Sequence, residues 1–333
     1  MQLPSPVKTL REVGEALSLE KVDAPLGLRL RAWWEGCPVA DLGPDAIPDA
    51  APVETPPPSQ ETPPPAASPG AEVDDPDDGS YWIDRRIEVA ELLWGEGNAT
   101  PGGTSRTMEM IGAFGVGQKV NVLNVGAGLG GAARAIAAEF DAWVTGYEQD
   151  ANLAAAAAAR SEKAGLAKRA AISHALQGEV ELRANVFDCA FSRESLYTAE
   201  GREELIAVIQ EALKPRCPIL FTDYFITEGR EDDPAVRRWM AAEPVEVIPW
   251  TVDQVHQILQ QSNFELRVAE DVTATYREDV FQGWANFVEA KDGSGISERL
   301  LTDVLSMAEL WAGRVAALDS GAVTIHRIIA LKI

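Results

Sequence analysis

The stretch that decides the fold is residues 122–131, which read VLNVGAGLGG. An apolar run suited to a strand leads directly into glycines, which permit a tight turn and let a ligand touch the backbone. Gly126, Gly128 and Gly131 satisfy the spacing G-x-G-x-x-G of nucleotide-binding turns. The sequence predicts a ligand site here. It leaves open whether the ligand is a dinucleotide, a phosphate or a nucleoside without phosphate.

An acid follows this turn at the place where a ribose site needs one. Glu148 ends the next predicted strand, AWVTGYE, and a carboxylate there accepts the hydroxyls of a ribose. Dinucleotide and nucleoside sites both use such an acid, so Glu148 does not decide between them. A turn that only packs a helix on a strand is the simpler alternative. It is disfavoured because the glycines and the acid occur together in the correct strand context.

Strand and helix patterns alternate from Tyr81 onward. Apolar runs such as PILFTDYFI alternate with periodic segments such as EELIAVIQEALK, and AVTIHRIIALKI forms a last strand. Such alternation predicts right-handed crossovers. We therefore expect an α/β fold with a doubly wound, mostly parallel sheet of seven strands and helices on both faces.

The chain before this domain has a different composition. Residues 44–80 are rich in proline and then acidic, with almost no bulky apolar residue, so we expect a disordered linker. The linker separates a short N-terminal helical docking segment, residues 1–43, from a domain at 81–333. A piece this short is too small for a core of its own. We expect it to dock on its own domain or on a protein partner.

The charge balance excludes several partners. With 52 acidic and 29 basic residues the net charge is −23, which disfavours nucleic acid and anionic lipid and suits a small cation or amine, although it speaks first to solubility. No apolar run approaches the ~18 residues of a membrane span, and no secretory signal is visible. Three cysteines lie far apart, which argues against a disulfide framework or a zinc site. We expect a cytoplasmic protein without a metal.

Three stretches together resemble the class I S-adenosylmethionine-dependent methyltransferases: NVLNVGAGLGGAARAIAAEFDAWVTGYEQD, FDCAFSRESL and LKPRCPILFTDYF. The resemblance is closest to the phosphoethanolamine N-methyltransferase-like group, whose N-terminal lid is similar to LWGEGNATPGG. It implies a Rossmann-like methyltransferase fold with the last strand antiparallel and S-adenosylmethionine as the cofactor. It also implies methyl transfer to a small-molecule amine or hydroxyl. The expected ligand of the turn is then a nucleoside with a methionine tail and no phosphate.

The same resemblance implies a set of cofactor-binding residues. The turn glycines would approach the ribose and the amino-acid tail. Glu148 would accept hydrogen bonds from the ribose hydroxyls, and Gln177 would accept one from the adenine amino group. Glycines of the lid would close over the tail, and Ser192 and Arg193 would line the sulfonium pocket. The predicted set is Gly102, Gly103, Asn124, Gly126, Gly128, Gly130, Glu148, Gln177, Ser192 and Arg193.

Several positions depart from the family pattern. Asn124 stands where relatives have an acid, so it can hydrogen-bond but lacks the charge to hold an ammonium group. Leu176 cannot bind the adenine amino group. Around the acceptor, Glu194 replaces an aspartate, Thr198 a histidine and Ala90 a tyrosine of the phosphoethanolamine enzymes. We therefore do not predict phosphoethanolamine as the acceptor.

Three residues are candidates for catalysis. An amine acceptor must arrive deprotonated, and a carboxylate can assist this. Glu194 is the first candidate, and Asp223 and Tyr224 at the end of the fifth strand come second. Asp223 has an equally weighted interpretation as a strand-end acid that binds nearby backbone. The ring of Tyr224 suits a cationic substrate, although aromatic residues more often belong to the core.

Two other functions stay open at this point. A chain that kept the fold and lost activity would be a binding module acting through a protein partner at residues 1–43, which the changes at Asn124 and Leu176 favour. A nicotinamide-dependent reductase would also use the glycine turn and Glu148, but it gives the N-terminal lid helices no role.

Overall fold

The computed structural model describes residues 80–112, 118–291 and 297–333. The predicted docking segment and all but the last residue of the predicted linker lie outside these ranges. Within the described ranges, no helix is long and apolar enough to cross a membrane.

Seven strands form one sheet. They are β1 (Asn121–Val125), β2 (Trp143–Glu148), β3 (Ala170–His174), β4 (Cys189–Arg193), β5 (Pro218–Ile226), β6 (Phe264–Asp271) and β7 (Val323–Lys332). Their order is β3-β2-β1-β4-β5-β7-β6. The pairs among β1 to β5 are parallel, and β7 lies antiparallel between β5 and β6. The predicted fold class, including the antiparallel last strand, is confirmed.

The helices connect these strands and extend the domain at both ends. They are α1 (Asp84–Trp94), α2 (Gly103–Gly112), α3 (Gly131–Glu139), α4 (Ala151–Lys163), α5 (Arg202–Ala212), α6 (Pro234–Ala242), α7 (Val252–Gln261), α8 (Thr273–Lys291) and α9 (Glu298–Asp319). Short 3-10 turns lie at Gln177–Glu179 and Leu196–Thr198.

Helix α6 is not among the elements predicted from the sequence, although its start carries a recognisable signal. The Asp233 carboxylate accepts a hydrogen bond from the backbone N–H of Ala235, and Pro234 occupies the first helical turn. Proline is favoured there because its missing N–H has no helical partner to lose. The helix matters for the site because Glu243 follows its last turn.

Helices cover the sheet on both faces, as predicted. Neighbouring residues of β1 show this directly, because successive side chains of a strand point to opposite faces. Leu123 belongs to a buried cluster with Ile206 of α5 and Val255 of α7. Val122 belongs to a second cluster with Ile136 of α3. The carboxyl ends of β1, β2, β4 and β5 therefore meet at one edge, between these layers.

Candidate active site

A cavity of about 430 Å³ opens at the carboxyl edge of the sheet. This volume lies within the range of small-molecule sites. Two groups of lining residues differ in character. We call Gly126, Gly128, Glu148 and Asp150 the turn side, and Tyr197, Tyr224, Tyr276 and Trp311 the aromatic side.

The turn side depends on backbone conformations that favour glycine. Gly126, Gly128 and Gly130 have φ values of 66°, 54° and 74°, in the left-handed region. A Cβ at Gly126 would lie 2.2 Å from the Oγ of Ser195. Gly126 and Gly128 line the cavity, whereas Gly130 precedes the first residue of α3. Two of the predicted turn glycines thus face the cavity, and the third shapes the start of the helix.

Glu148 is held against the turn, as a ribose-binding acid should be. One carboxylate oxygen accepts the N–H of Gly128 at 2.7 Å, and the other accepts the N–H of Asp150 at 3.0 Å. The residue is buried, and burial raises the pKa of the carboxyl. Asp150 in turn accepts the N–H groups of Asn152 and Leu153 and so caps α4.

A smaller cavity of about 40 Å³ adjoins the glycine turn. Asn124 lines it, is 1% exposed, and its Nδ2 has no hydrogen-bond partner in the described part of the chain. Arg193 lines it too, and no carboxylate is among the described residues that do. An unpaired buried amide N–H costs free energy unless a ligand accepts its hydrogen bond. This cavity therefore offers donors where the family pattern has an acid.

Arg193 also fixes the segment before α2. Its Nη2 donates to the carbonyl of Pro101 at 2.7 Å, and its Nη1 donates to the carbonyl of Gly103 at 3.2 Å. Gly102 and Gly103, predicted to close over the cofactor tail, have φ values of 74° and 48° and are not among the lining residues of the described cavities. In this structure they shape a segment that Arg193 holds to the end of β4.

Ser192 does not line the described cavities, and Gln177 is described only by its backbone. Ser192 is buried and its Oγ lies 2.8 Å from the Oγ of Ser195, so its hydroxyl is used within the β4 turn. Gln177 begins the 3-10 turn after β3, and its side chain lies outside the described part of the structure. The neighbouring Leu176 lines the cavity and is 52% exposed, which places it at the rim.

Glu194 lies where the two sides meet. Its φ of 44° is left-handed, and its side chain is only 3% exposed. Oε1 accepts a hydrogen bond from the hydroxyl of Thr222, whereas Oε2 has no hydrogen-bond partner in the described ranges and lies 3.5 Å from Nη2 of Arg193. Burial raises the pKa of this carboxyl, and Arg193 opposes the rise. Glu194 is thus a buried catalytic candidate that lies among the cavity's lining residues.

Asp223 occupies a different environment. It is fully buried on β5, and its Oδ1 accepts the N–H of Tyr224 at 2.9 Å. It does not line the described cavities. Burial raises the pKa of its carboxyl well above the ordinary value. This position corresponds to the alternative interpretation, an acid that binds nearby backbone, and its catalytic role stays a prediction.

The aromatic side concentrates one residue type. The chain has five tyrosines, and all five line this cavity, from Tyr81 to Tyr276. The hydroxyls of Tyr224 and Tyr276 lie 2.9 Å apart, and the rings of Tyr197 and Tyr224 have centroids 4.9 Å apart. Burial raises the pKa of Tyr224, which keeps its hydroxyl protonated. Tyr224 therefore offers a ring face and a hydroxyl rather than a base.

Behind these rings lies a buried ion pair that the sequence did not reveal. Arg314 of α9 donates from Nε at 2.8 Å and from Nη2 at 2.7 Å to the two carboxylate oxygens of Glu243. The indole N–H of Trp239 donates to the same carboxylate at 2.7 Å. The side chain of Glu243 is 0% exposed. Because the partners lie 71 residues apart on different elements, no local spacing could have predicted the pair.

Comparisons with known proteins identify the fold family. A family model described as a methyltransferase domain matches residues 122–216. Phosphoethanolamine N-methyltransferase 2 of Caenorhabditis elegans is 32% identical over 160 residues, which cover 47% of this chain and 36% of that protein. Phosphoethanolamine N-methyltransferase of Plasmodium falciparum is 25% identical over 198 residues, which cover 59% of this chain and 73% of that protein. Residues 122–216 therefore match a methyltransferase domain, and the chain is similar to phosphoethanolamine N-methyltransferases over about half of its length.

Solved structures agree on the fold of this methyltransferase. Phosphoethanolamine N-methyltransferase 2 of Haemonchus contortus, in complex with S-adenosyl-L-methionine, superposes with a TM-score of 0.64 at 22% identity, over 74% of this chain and 56% of that one. The cyclase SpnF superposes with a TM-score of 0.53 at 22% identity, over 69% of this chain and 79% of that one. The family resemblance read from the sequence is confirmed, and the nicotinamide-dependent alternative is set aside.

Proposed function

We propose that this methyltransferase transfers a methyl group from S-adenosylmethionine to a small-molecule amine or hydroxyl by in-line displacement. One observation carries the proposal: a single cavity joins the glycine turn and Glu148 to Glu194 and the tyrosines. Residues suited to donor binding and residues suited to acceptor binding thus line the same cavity. Relatives named as phosphoethanolamine N-methyltransferases support the reaction class.

The turn side fits an adenosyl group with an amino-acid tail. Glu148 presents buried carboxylate oxygens at the cavity, beside glycine backbone that carries no Cβ. Asn124 and Arg193 supply N–H donors in the smaller adjoining cavity. Donors of this kind suit the carboxylate of the amino-acid tail. This contact would replace the ammonium contact that an acid in place of Asn124 would make. When bound, S-adenosylmethionine supplies an activated methyl group on a sulfonium.

On the acceptor side, Glu194 can take up a proton. As the acceptor nitrogen or oxygen bonds to the methyl carbon, the carbon–sulfur bond breaks and the acceptor's proton must leave. Glu194 is among the residues that line the cavity, and its Oε2 accepts no hydrogen bond in the described ranges. The raised pKa brings the carboxyl closer to neutral pH, where a general base is most effective. Alignment of the methyl donor and the acceptor within one cavity supplies the rest of the rate enhancement.

Calorimetric titration with S-adenosylmethionine tests the donor half of this proposal. Replacing Glu148 by alanine removes the expected ribose contact, and loss of a charged hydrogen bond should weaken binding about 10–100-fold. Glu246→Ala is the matched control, because Glu246 is an exposed acid lining the same cavity, and we expect a change within about threefold. Equal affinities for the wild type and Glu148→Ala would remove the basis of the proposal.

The acceptor half needs a label-transfer measurement. Incubating the protein with methyl-labelled donor and a small-molecule cell extract should yield labelled product. A chain that binds the donor and transfers no label would instead be a non-catalytic binding module. Its protein partner at residues 1–43 stays a prediction, because that segment lies outside the described residues. Cytoplasmic location also stays a prediction.

A further inference from the structure

The charges around the cavity indicate which acceptor it admits. Five carboxylates and two guanidinium groups are among its described lining residues: Glu148, Asp150, Glu194, Glu243, Glu246, Arg193 and Arg314. Acids therefore outnumber bases, on a chain whose net charge is −23. A cleft lined by one sign of charge concentrates ligands of the opposite sign.

Both arginines at the cavity already have partners. Arg314 uses Nε and Nη2 for the two oxygens of Glu243. Arg193 donates to the carbonyls of Pro101 and Gly103. A guanidinium recognises a phosphate best through two parallel hydrogen bonds. Nε and Nη2 of Arg314 both donate to Glu243, so a phosphate could accept this pair of hydrogen bonds only after the two side chains had separated.

The remaining surface suits a cation. Tyr197, Tyr224, Tyr276 and Trp311 line the cavity, and the faces of tyrosine and tryptophan rings attract ammonium groups. Glu194 adds a buried carboxylate oxygen without a hydrogen-bond donor in the described ranges. The guanidinium of Arg314 already lies 4.6 Å from the ring of Trp311, which shows that these rings accept a cation at contact distance.

We propose that the acceptor is a small aliphatic amine that carries no phosphate group. The amine binds as a cation against the aromatic side and is deprotonated at Glu194, and the Glu243–Arg314 pair excludes phosphorylated amines. This inference rests on the proposed methyl transfer. It separates the chain from the phosphoethanolamine acceptor named for its relatives.

Two probes that differ only in the phosphate group test the inference on the wild-type protein. Dimethylethanolamine and its O-phosphate ester are titrated separately, with tryptophan fluorescence and calorimetry as readouts that do not depend on turnover. We expect the amino alcohol to bind at least about tenfold more tightly, which corresponds to one unfavourable charge contact in the cavity. Equal or tighter binding of the ester, or no measurable binding of the amino alcohol, would overturn the inference.

The role of the ion pair is tested with a charge-matched pair of variants. Glu243→Gln releases Arg314 from its carboxylate partner, so the ester should bind about tenfold more tightly and the amino alcohol less tightly. Glu162→Gln removes the same charge from an exposed position outside the described cavities and should change both affinities by no more than about threefold. Identical responses of the two variants would refute the exclusion by Glu243–Arg314. If Glu243→Gln fails to fold by circular dichroism, the wild-type comparison still decides the acceptor class.

Failure of this inference can be told apart from failure of the proposed function. Binding of the amino alcohol without binding of S-adenosylmethionine would leave the acceptor class in place and remove the methyl transfer. Donor binding with preference for the ester would leave methyl transfer in place and remove the acceptor class.

Discussion

The turn side and the aromatic side of the cavity are built by different means. Gly126, Gly128 and Glu148 lie within one strand–helix–strand unit, and backbone N–H groups and left-handed glycines set their geometry. The aromatic side gathers side chains from β5, α8 and α9 and from a 3-10 turn. The turn side therefore tolerates few replacements, whereas the aromatic side can change its ligand preference without a change in fold.

The largest expected effect tests the residue where the two sides meet. Glu194→Gln keeps the hydrogen bond from Thr222 but cannot take up a proton, so kcat should fall about 100-fold or more. The affinity for S-adenosylmethionine should stay near that of the wild type, because the proposed ribose contact is made by Glu148 and not by Glu194. Steady-state kinetics with saturating donor and acceptor measure this. An unchanged kcat would show that the aromatic side needs no carboxylate.

A smaller effect is expected for the turn glycines, where a matched pair separates sterics from backbone strain. Gly126→Ala and Gly128→Ala both place a Cβ on left-handed backbone, at a cost of about 1–2 kcal/mol each. Only at Gly126 does the new Cβ meet Ser195, at 2.2 Å, whereas at Gly128 the nearest atom is 4.0 Å away.

Overpacking should therefore destabilise Gly126→Ala by a further 1–3 kcal/mol or so. Urea unfolding followed by circular dichroism gives both free energies of unfolding. Equal values for the two variants would mean that the turn has room that the structure does not show.

The smallest effect concerns the buried acid behind the aromatic side. The pKa of Asp223 is raised in the folded protein by burial. Its folded state holds a proton more tightly than the unfolded chain does, so stability is highest below the ordinary aspartate pKa and is lost as pH rises through the raised value. Asp223→Asn has no such charge.

The free energy of unfolding of Asp223→Asn minus that of the wild type should therefore grow as pH rises above the ordinary aspartate pKa. Glu194 contributes to the raised pKa of Asp223, so the same comparison made in a Glu194→Gln background isolates Asp223. Thermal unfolding at a series of pH values provides the measurement, and a difference that does not vary with pH would contradict the assignment.

The residues of the turn side could be located in the sequence because they follow one another at strand ends. The fold and the positions of Gly126, Gly128 and Glu148 at the ends of strands could be read from strand pattern and spacing. Gly102, Gly103 and Ser192 were less predictable, since a motif match gives the place of a residue in the chain but not the direction it faces. The structure uses the two lid glycines to shape the segment that Arg193 binds.

The aromatic side could not be predicted in the same way. Tyr224 was a candidate, but Tyr276 and Arg314 lie on long helices where no motif marks them, and Glu243 follows a helix that was not predicted. Side chains that meet only in the tertiary structure leave no periodic signal. The small number of tyrosines was the available clue, since a residue type this scarce can be concentrated by function.

The left-handed backbone of Glu194 links the stability of the fold to the proposed reaction. Glycine or asparagine would adopt that conformation at lower cost, yet a carboxylate occupies it. Glu194→Gly should thus have a larger free energy of unfolding than Glu194→Ala. Neither variant has a carboxylate at this position, so neither should transfer the methyl group. The proposed reaction thus places its proton acceptor on backbone that costs folding free energy.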